Sequence, residues 1–130
     1  MGERINISTG TPWEKFAGYS RAVRIGDHIY ISGTTASDES GAVMGETPYE
    51  QTVYIFKKIE QALIESGATL NDVVRTRMFV TDIDRWEEVA QAHGEVFSEI
   101  RPVCTLVAVK ALVTSEHLVE IEVDALVQSH

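Results

Sequence analysis

The chain is short of cysteine, of basic residues and of long apolar runs, and each shortage removes a class of protein. One cysteine, Cys104, in 130 residues rules out an intrachain disulfide and fits a reducing cytosol. His28, His93, His117 and His130 are scattered, so no Cys/His cluster has the spacing of a metal site, and no metal is expected. No apolar stretch approaches the ~20 residues of a membrane span. The opening MGERINIST is polar, with no apolar signal-peptide core behind it. A membrane partner is therefore not expected, and the cytoplasm is the expected location. Lysine and arginine total 11 against 20 acids, a formal charge of −9. Binding a phosphate backbone needs a basic surface or at least a basic stripe. Nucleic acid is thus disfavoured as a partner, although Arg21, Arg24, Arg75, Arg77, Lys57 and Lys58 could gather into a local patch.

What the chain does have is ordinary globular material: 44% hydrophobic and 24% charged residues, enough for the core of one domain spanning residues 1–130. No repeat, linker or low-complexity tract interrupts it. The organising stretch is Ile100–Val127, which reads as two strands joined by a polar turn. Thr105, Val107, Val109 and Ala111 alternate with Cys104, Leu106, Ala108 and Lys110. Val119, Ile121, Val123, Ala125 and Val127 alternate with Leu118, Glu120, Glu122, Asp124 and Leu126. Period-2 alternation gives each strand two faces of different character. One face is apolar and suits packing under helices. The other is expected to carry Cys104, Leu106 and Ala108 beside Glu120, Glu122 and Asp124. If that face meets water its acids are unremarkable; in a cleft or an interface each needs a partner or a raised pKa.

The rest of the chain supplies further strands and two helices. Arg4–Ser8 reads as an edge strand, followed by a turn-rich entry with Gly10, Pro12 and Gly18. Arg21–Ile25 and His28–Ser32 flank Gly26-Asp27 and read as a hairpin. Thr47-Pro48-Tyr49-Glu50 is a helix start, with Thr47 as cap, Pro48 in the first turn and Glu50 closing a capping box. Ile55, Phe56, Ile59, Ala62 and Leu63 recur at helical spacing up to a stop at Gly67. Val73–Thr81 reads as a strand. A second helix is expected from Asp84, with an apolar stripe of Trp86, Val89, Ala90, His93, Val96 and Phe97. Pro102 then forces extended chain. The order β-β-β-α-β-α-β-β suits an α+β fold, a mixed sheet with both helices on one face. The partly apolar second face then calls for a partner subunit.

Six segments in this order resemble one known family. They are GYSRAV at Gly18–Val23, IYISGT at Ile29–Thr34, YEQT at Tyr49–Thr52, the run Ser66–Trp86, RPVCTLVAVKAL, and LVEIEVDAL. Together they resemble the RidA family (reactive intermediate deaminase A, also YjgF-like or L-PSP endoribonuclease-like) over nearly the whole chain. The resemblance implies a chorismate-mutase-like fold, a homotrimeric barrel with clefts between subunits, and hydrolysis of enamines or imines to a carbonyl product and ammonia without cofactor or metal. It places Glu120 on the water-positioning glutamate, and Tyr19 and Gly33 on cleft-lining positions. Thr34, Arg101, Cys104 and Thr105 complete the expected ligand-binding set.

One position departs. The family's active members have an arginine two residues after the proline, where it clamps the substrate carboxylate. Here Cys104 stands in that place, and Arg101 lies before Pro102, three positions out of register. The expectation is therefore a small-metabolite-binding trimer that is weak on 2-imino acids. Its alternatives are a non-catalytic ligand-binding or chaperone-like trimer and, less favoured, an endoribonuclease. Each residue also has a plain reading. Free cysteines are most often buried and inert. Glu120 could belong to a solvated acidic row, and His93 on an apolar stripe suits a hydrogen-bonded core histidine. Arg101 could substitute for the clamp or cap a helix end. Tyr19 could simply pack, and Arg75 and Arg77 could pair across strands with the acids.

Overall fold

A computed structural model describes residues 3–128; His130 lies outside them. Six strands form one sheet in the order β1-β2-β3-β6-β4-β5. They are β1 (Arg4–Ile7), β2 (Ala22–Ile25), β3 (His28–Thr34), β4 (Val73–Val80), β5 (Val103–Ala108) and β6 (Val119–Leu126). The helices are α1 (Pro12–Ala17), α2 (Pro48–Glu65) and α3 (Trp86–Phe97). The fold is thus α+β, as expected.

Local chemistry accounts for the boundaries. The β2–β3 hairpin turns at Gly26, which has φ 60°, a conformation glycine adopts without a Cβ clash. Thr47 accepts a hydrogen bond from the Glu50 amide while the Glu50 carboxylate accepts from the Thr47 amide. The helix this box opens ends at Gly67 (φ 86°). Arg24 Nη1 donates to the Ser66 carbonyl there at 2.7 Å, a cation at the negative helix terminus. The turn-rich entry proved to contain α1, which the sequence reading missed. The Glu14 carboxylate holds it, accepting from Ser8 Oγ, Thr9 Oγ1 and Thr11 Oγ1. Burial pushes the Glu14 pKa up, but these hydrogen bonds outweigh it and leave the group below its usual value.

The core lies between one sheet face and the two long helices. Ile29, Ile31, Met78, Ile121 and Val123 of the sheet are buried together with Ile55, Ile59 and Leu63 of α2. Each such side chain contributes roughly 1.5–3 kcal/mol of transfer free energy. His93 sits on the buried side of α3, shares a hydrogen bond with Thr76 Oγ1 at 2.9 Å and packs edge-on against Phe56. It is the core histidine of the plain reading, and burial lowers its pKa.

Five expectations about the chain are corrected. The helical segment near Asp84 opens with a short 3-10 turn capped by Asp82, whose side chain accepts from the Asp84 amide. The α-helix proper begins at Trp86, which is exposed rather than part of the buried stripe. The two C-terminal strands are not neighbours: β4 lies between them, antiparallel to β6 and parallel to β5. This register also reverses the faces of β5. Cys104, Leu106 and Ala108 align with Thr76, Met78 and Val80 on the helix side, while Val103, Thr105 and Val107 share the face of the acids. Strand β5 stops at Ala108 rather than continuing to Ala111.

Candidate functional site

The open face of the sheet carries the acidic row of β6, and the three acids are not equivalent. Glu122 lies directly across from Arg77, whose Nη1 is 3.1 Å from it and 3.5 Å from Asp124. Arg75 adds a contact to Asp124 at 3.6 Å. These two acids are thus neutralised by cross-strand arginines, as the plain reading of Arg75 and Arg77 held. Glu120 has no such partner. Its cross-strand neighbour is Phe79, and on its other side lies the backbone of Gly33.

Gly33 sits where the pairing of β3 with β6 slips by one residue between Ile31 and Thr34. Such a bulge bends a strand and re-aims its neighbours. Gly33 does not adopt positive φ; its role is to leave space. A Cβ at this position would collide with the Glu120 carboxylate. The half-buried carboxylate makes no hydrogen bond within the described residues. Burial raises its pKa most, Glu122 raises it further, and Arg21 pulls it down. No buried side-chain polar atom of the described residues lacks a partner. The unpartnered oxygens of Glu120 must therefore open to the exterior, which leaves them free to orient a water molecule or accept a ligand proton.

The expected site residues divide into those one chain assembles and those it holds apart. Gly33 and Glu120 are in contact. Thr34 is buried, where its hydroxyl accepts from Arg21 Nη1 at 2.7 Å and donates to the Ser32 carbonyl. Tyr19 is exposed and lines a groove of about 460 Å³ with Ser20, Tyr30, Ser32, Glu122 and Asp124. Thr105 is exposed on the same face, across from Arg77. Cys104 is exposed in the single chain, unlike the buried thiol of the plain reading, and it lies on the opposite face from Glu120 and two strands away, so one chain does not bring these two together. Arg101 has φ 56° and its amide donates to the Phe97 carbonyl. It ends the α3 segment through its backbone, and its exposed side chain has no ion pair among the described residues.

Sequence reasoning missed Arg21 as a member of this site. It counted only as part of a basic patch, because its approach to Gly33 and Thr34 depends on the bulge. No group of described residues forms a metal cluster, and no described helix is long and apolar enough to cross a membrane.

Comparison with known proteins agrees with this architecture. The family model described as Endoribonuclease L-PSP matches residues 11–127. An uncharacterised protein of Streptomyces coelicolor is 38% identical over 120 residues, covering 92% of this chain and 89% of that protein. A crystal structure from Mycobacterium tuberculosis, described as a member of the highly conserved YjgF/YER057c/UK114 family, superimposes with TM-score 0.89 at 48% identity. It covers 96% of this chain and all of the other, 100%. A Yersinia pestis protein of unknown function from the conserved Rid family gives TM-score 0.85 at 29% identity, covering 96% and 100% of the two chains. With its bulge, acidic row and six-stranded sheet, this chain belongs to the endoribonuclease L-PSP family, the YjgF or RidA family of the resemblance.

Proposed function

We propose that the protein is a cytosolic homotrimer whose intersubunit clefts bind a small carbonyl, imine or carboxylate metabolite, with Glu120 positioning the water that hydrolyses an enamine or imine. The observation that supports this reading is the singularity of Glu120. It is the one acid of its row without a cross-strand arginine, it is half-buried over a glycine, and its oxygens are free. Such a carboxylate can orient the water that adds to a C=N bond and take its proton, chemistry that calls for neither metal nor cofactor. The trimer is supported by the open face, where Tyr30, Val103 and Val107 are exposed beside the acids. Apolar area of this kind on a sheet face suits a second copy.

Cys104 supplies no cation for a substrate carboxylate. A neutral thiol is a weak donor and a thiolate repels an anion. Loss of a bidentate clamp is worth a few kcal/mol, roughly two or more powers of ten in rate, so turnover of 2-imino acids is slow. That same substitution favours a second reading, a trimer that binds its ligand without turning it over. The test is ammonia release from enamines generated in situ by an amino-acid dehydratase. Release that disappears in Glu120→Gln supports catalysis. Ligand binding without release supports the second reading, and a stable monomer by light scattering overturns both. The charge of −9 and an open face carrying Glu120, Glu122 and Asp124 weigh against the endoribonuclease reading that the family description carries.

A further inference from the structure

Two cations, Arg21 and Lys58, meet the C-terminal end of β3, the segment against which Glu120 lies. Strand β2 begins at Ala22, and the last backbone bond onto β3 on that side runs from the Ser32 amide to the Arg21 carbonyl at 3.0 Å, so Gly33 and Thr34 extend beyond it with no partner strand on that edge. Arg21 lies along that edge. Its Nη1 donates to Thr34 Oγ1 at 2.7 Å and reaches the Gly33 carbonyl at 3.5 Å. From α2, Lys58 Nζ donates to the Thr35 carbonyl at 2.7 Å. The two cations thus sit on consecutive residues of one backbone segment, and neither forms an ion pair among the described residues.

Burial most of all, and then the neighbouring Arg21, lowers the Lys58 pKa to about 8, with Asp38 opposing them. His117, hydrogen-bonded to Ser37 at 2.7 Å, has its own pKa lowered by burial and then by Lys58. Arg21, Asp38 and His117 are therefore the charged or titratable groups that Lys58 faces. Placing two like charges in a partly desolvated site is unfavourable unless an anion joins them.

The donors needed to hold that anion are open. Arg21 uses Nη1 alone, and its Nε and Nη2 have no partner among the described residues. No buried side-chain polar atom there is unpartnered, so these N–H groups must be reachable from outside. The guanidinium fork is suited to a planar oxyanion, and the ammonium to a point contact.

We infer that Arg21 and Lys58 form an anion site at the free end of β3, and that it takes the carboxylate of the small ligand whose reacting carbon lies at Glu120. This rests on the reading of Glu120 as the centre of the site. It moves the carboxylate away from position 104, so a 2-imino acid is bound at Arg21 and Lys58 but out of the register of the clamp whose loss slows its turnover. Arg21 joins the two: its Nη1 lies 3.5 Å from the carbonyl of Gly33, the residue under the Glu120 carboxylate, and bonds Thr34, next to the Thr35 carbonyl that Lys58 holds.

The test compares pyruvate with its neutral analogue pyruvamide, titrated into the full-length protein and read by NMR or calorimetry. Wild type should prefer pyruvate by about tenfold or more. Lys58→Met and Arg21→Gln should each erase most of that preference, weakening pyruvate far more than pyruvamide. Lys58→Met removes a partly desolvated charge, so it keeps the test interpretable if Arg21→Gln fails to fold. The preference should also decline as pH rises through about 8 in wild type, and not in Lys58→Met.

Equal binding of the two probes, or a preference untouched by both variants, overturns the anion site. If Glu120→Gln still weakens both probes in that case, the Glu120 reading survives alone. If pyruvate depends on Lys58 but neither probe responds to Glu120→Gln, the cation pair stands and Glu120 is not the centre. Failure of both probes to bind the wild type overturns both.

Discussion

The carboxylate of Glu120 occupies the volume that a β-carbon on residue 33 would need. One residue gives up its side chain so that another, on the neighbouring strand, can lie flat across it. Gly33→Ala should therefore push the carboxylate aside or open the bulge. The expected loss of stability is about 1–3 kcal/mol, the usual range for overpacking, together with loss of any activity that depends on Glu120. Denaturant titration with an activity assay checks this. Full stability with full activity would mean that the carboxylate moves freely and that its seat on Gly33 is incidental.

Glu120 also gives a pH signature of definite sign. Its folded pKa is raised above the unfolded value, chiefly by burial, so the native state binds the proton more tightly than the unfolded state. Stability from this group is full below the unfolded pKa and is lost as pH rises through the window between the two values. Glu120→Gln removes that loss. The variant should be more stable than wild type near about pH 7, with the difference shrinking toward about pH 4. Urea midpoints at both pH values decide it. A variant less stable at the higher pH would mean that attraction to Arg21 outweighs burial.

Thr47→Ala removes the hydroxyl that accepts from the Glu50 amide and opens one half of the capping box. The expected cost is ~1 kcal/mol, with the midpoint shifted and the m-value unchanged. Thr47→Ser should restore most of it. Equal stability of the alanine and serine variants would show that the carboxylate half of the box suffices.

The exposed thiol of Cys104 on the edge strand β5 should react with a small maleimide in the native protein at a rate near that of the denatured chain. Strong protection in the native assembly would place Cys104 inside a subunit interface. Concentration-dependent protection would then track assembly itself.

The sequence made the inner and outer faces of β6 legible, because one strand carried both an unbroken apolar set and an unbroken acidic set. The capping box and the hairpin at Gly26 were legible for a similar reason: each is a local contract between residues a few positions apart. The neighbours of a strand are not local. Nothing in β5 says that it runs parallel to β4 while β6 passes on the other side, and this pairing decides which face Cys104 presents. Gly33 was legible as a position, but its reason was not. The slip in register that places its backbone against Glu120 involves strands about ninety residues apart. Arg21 was hidden by the same slip, since it meets Thr34 only where β3 continues past the start of β2.

The placement of β6 has a consequence for biosynthesis. Its two partners in the sheet, β3 and β4, leave the ribosome well before it does, and neither can complete its hydrogen bonding until β6 arrives between them. Until then the nascent chain holds two half-built sheets with a vacant slot, and both slot walls are bare strand edges. A slot of that width accepts any extended segment of alternating apolar character, including the β6 of another copy. Slow translation through Val109–Leu118, or a stall within it, is thus the point at which exchange of the final strand between chains competes with folding.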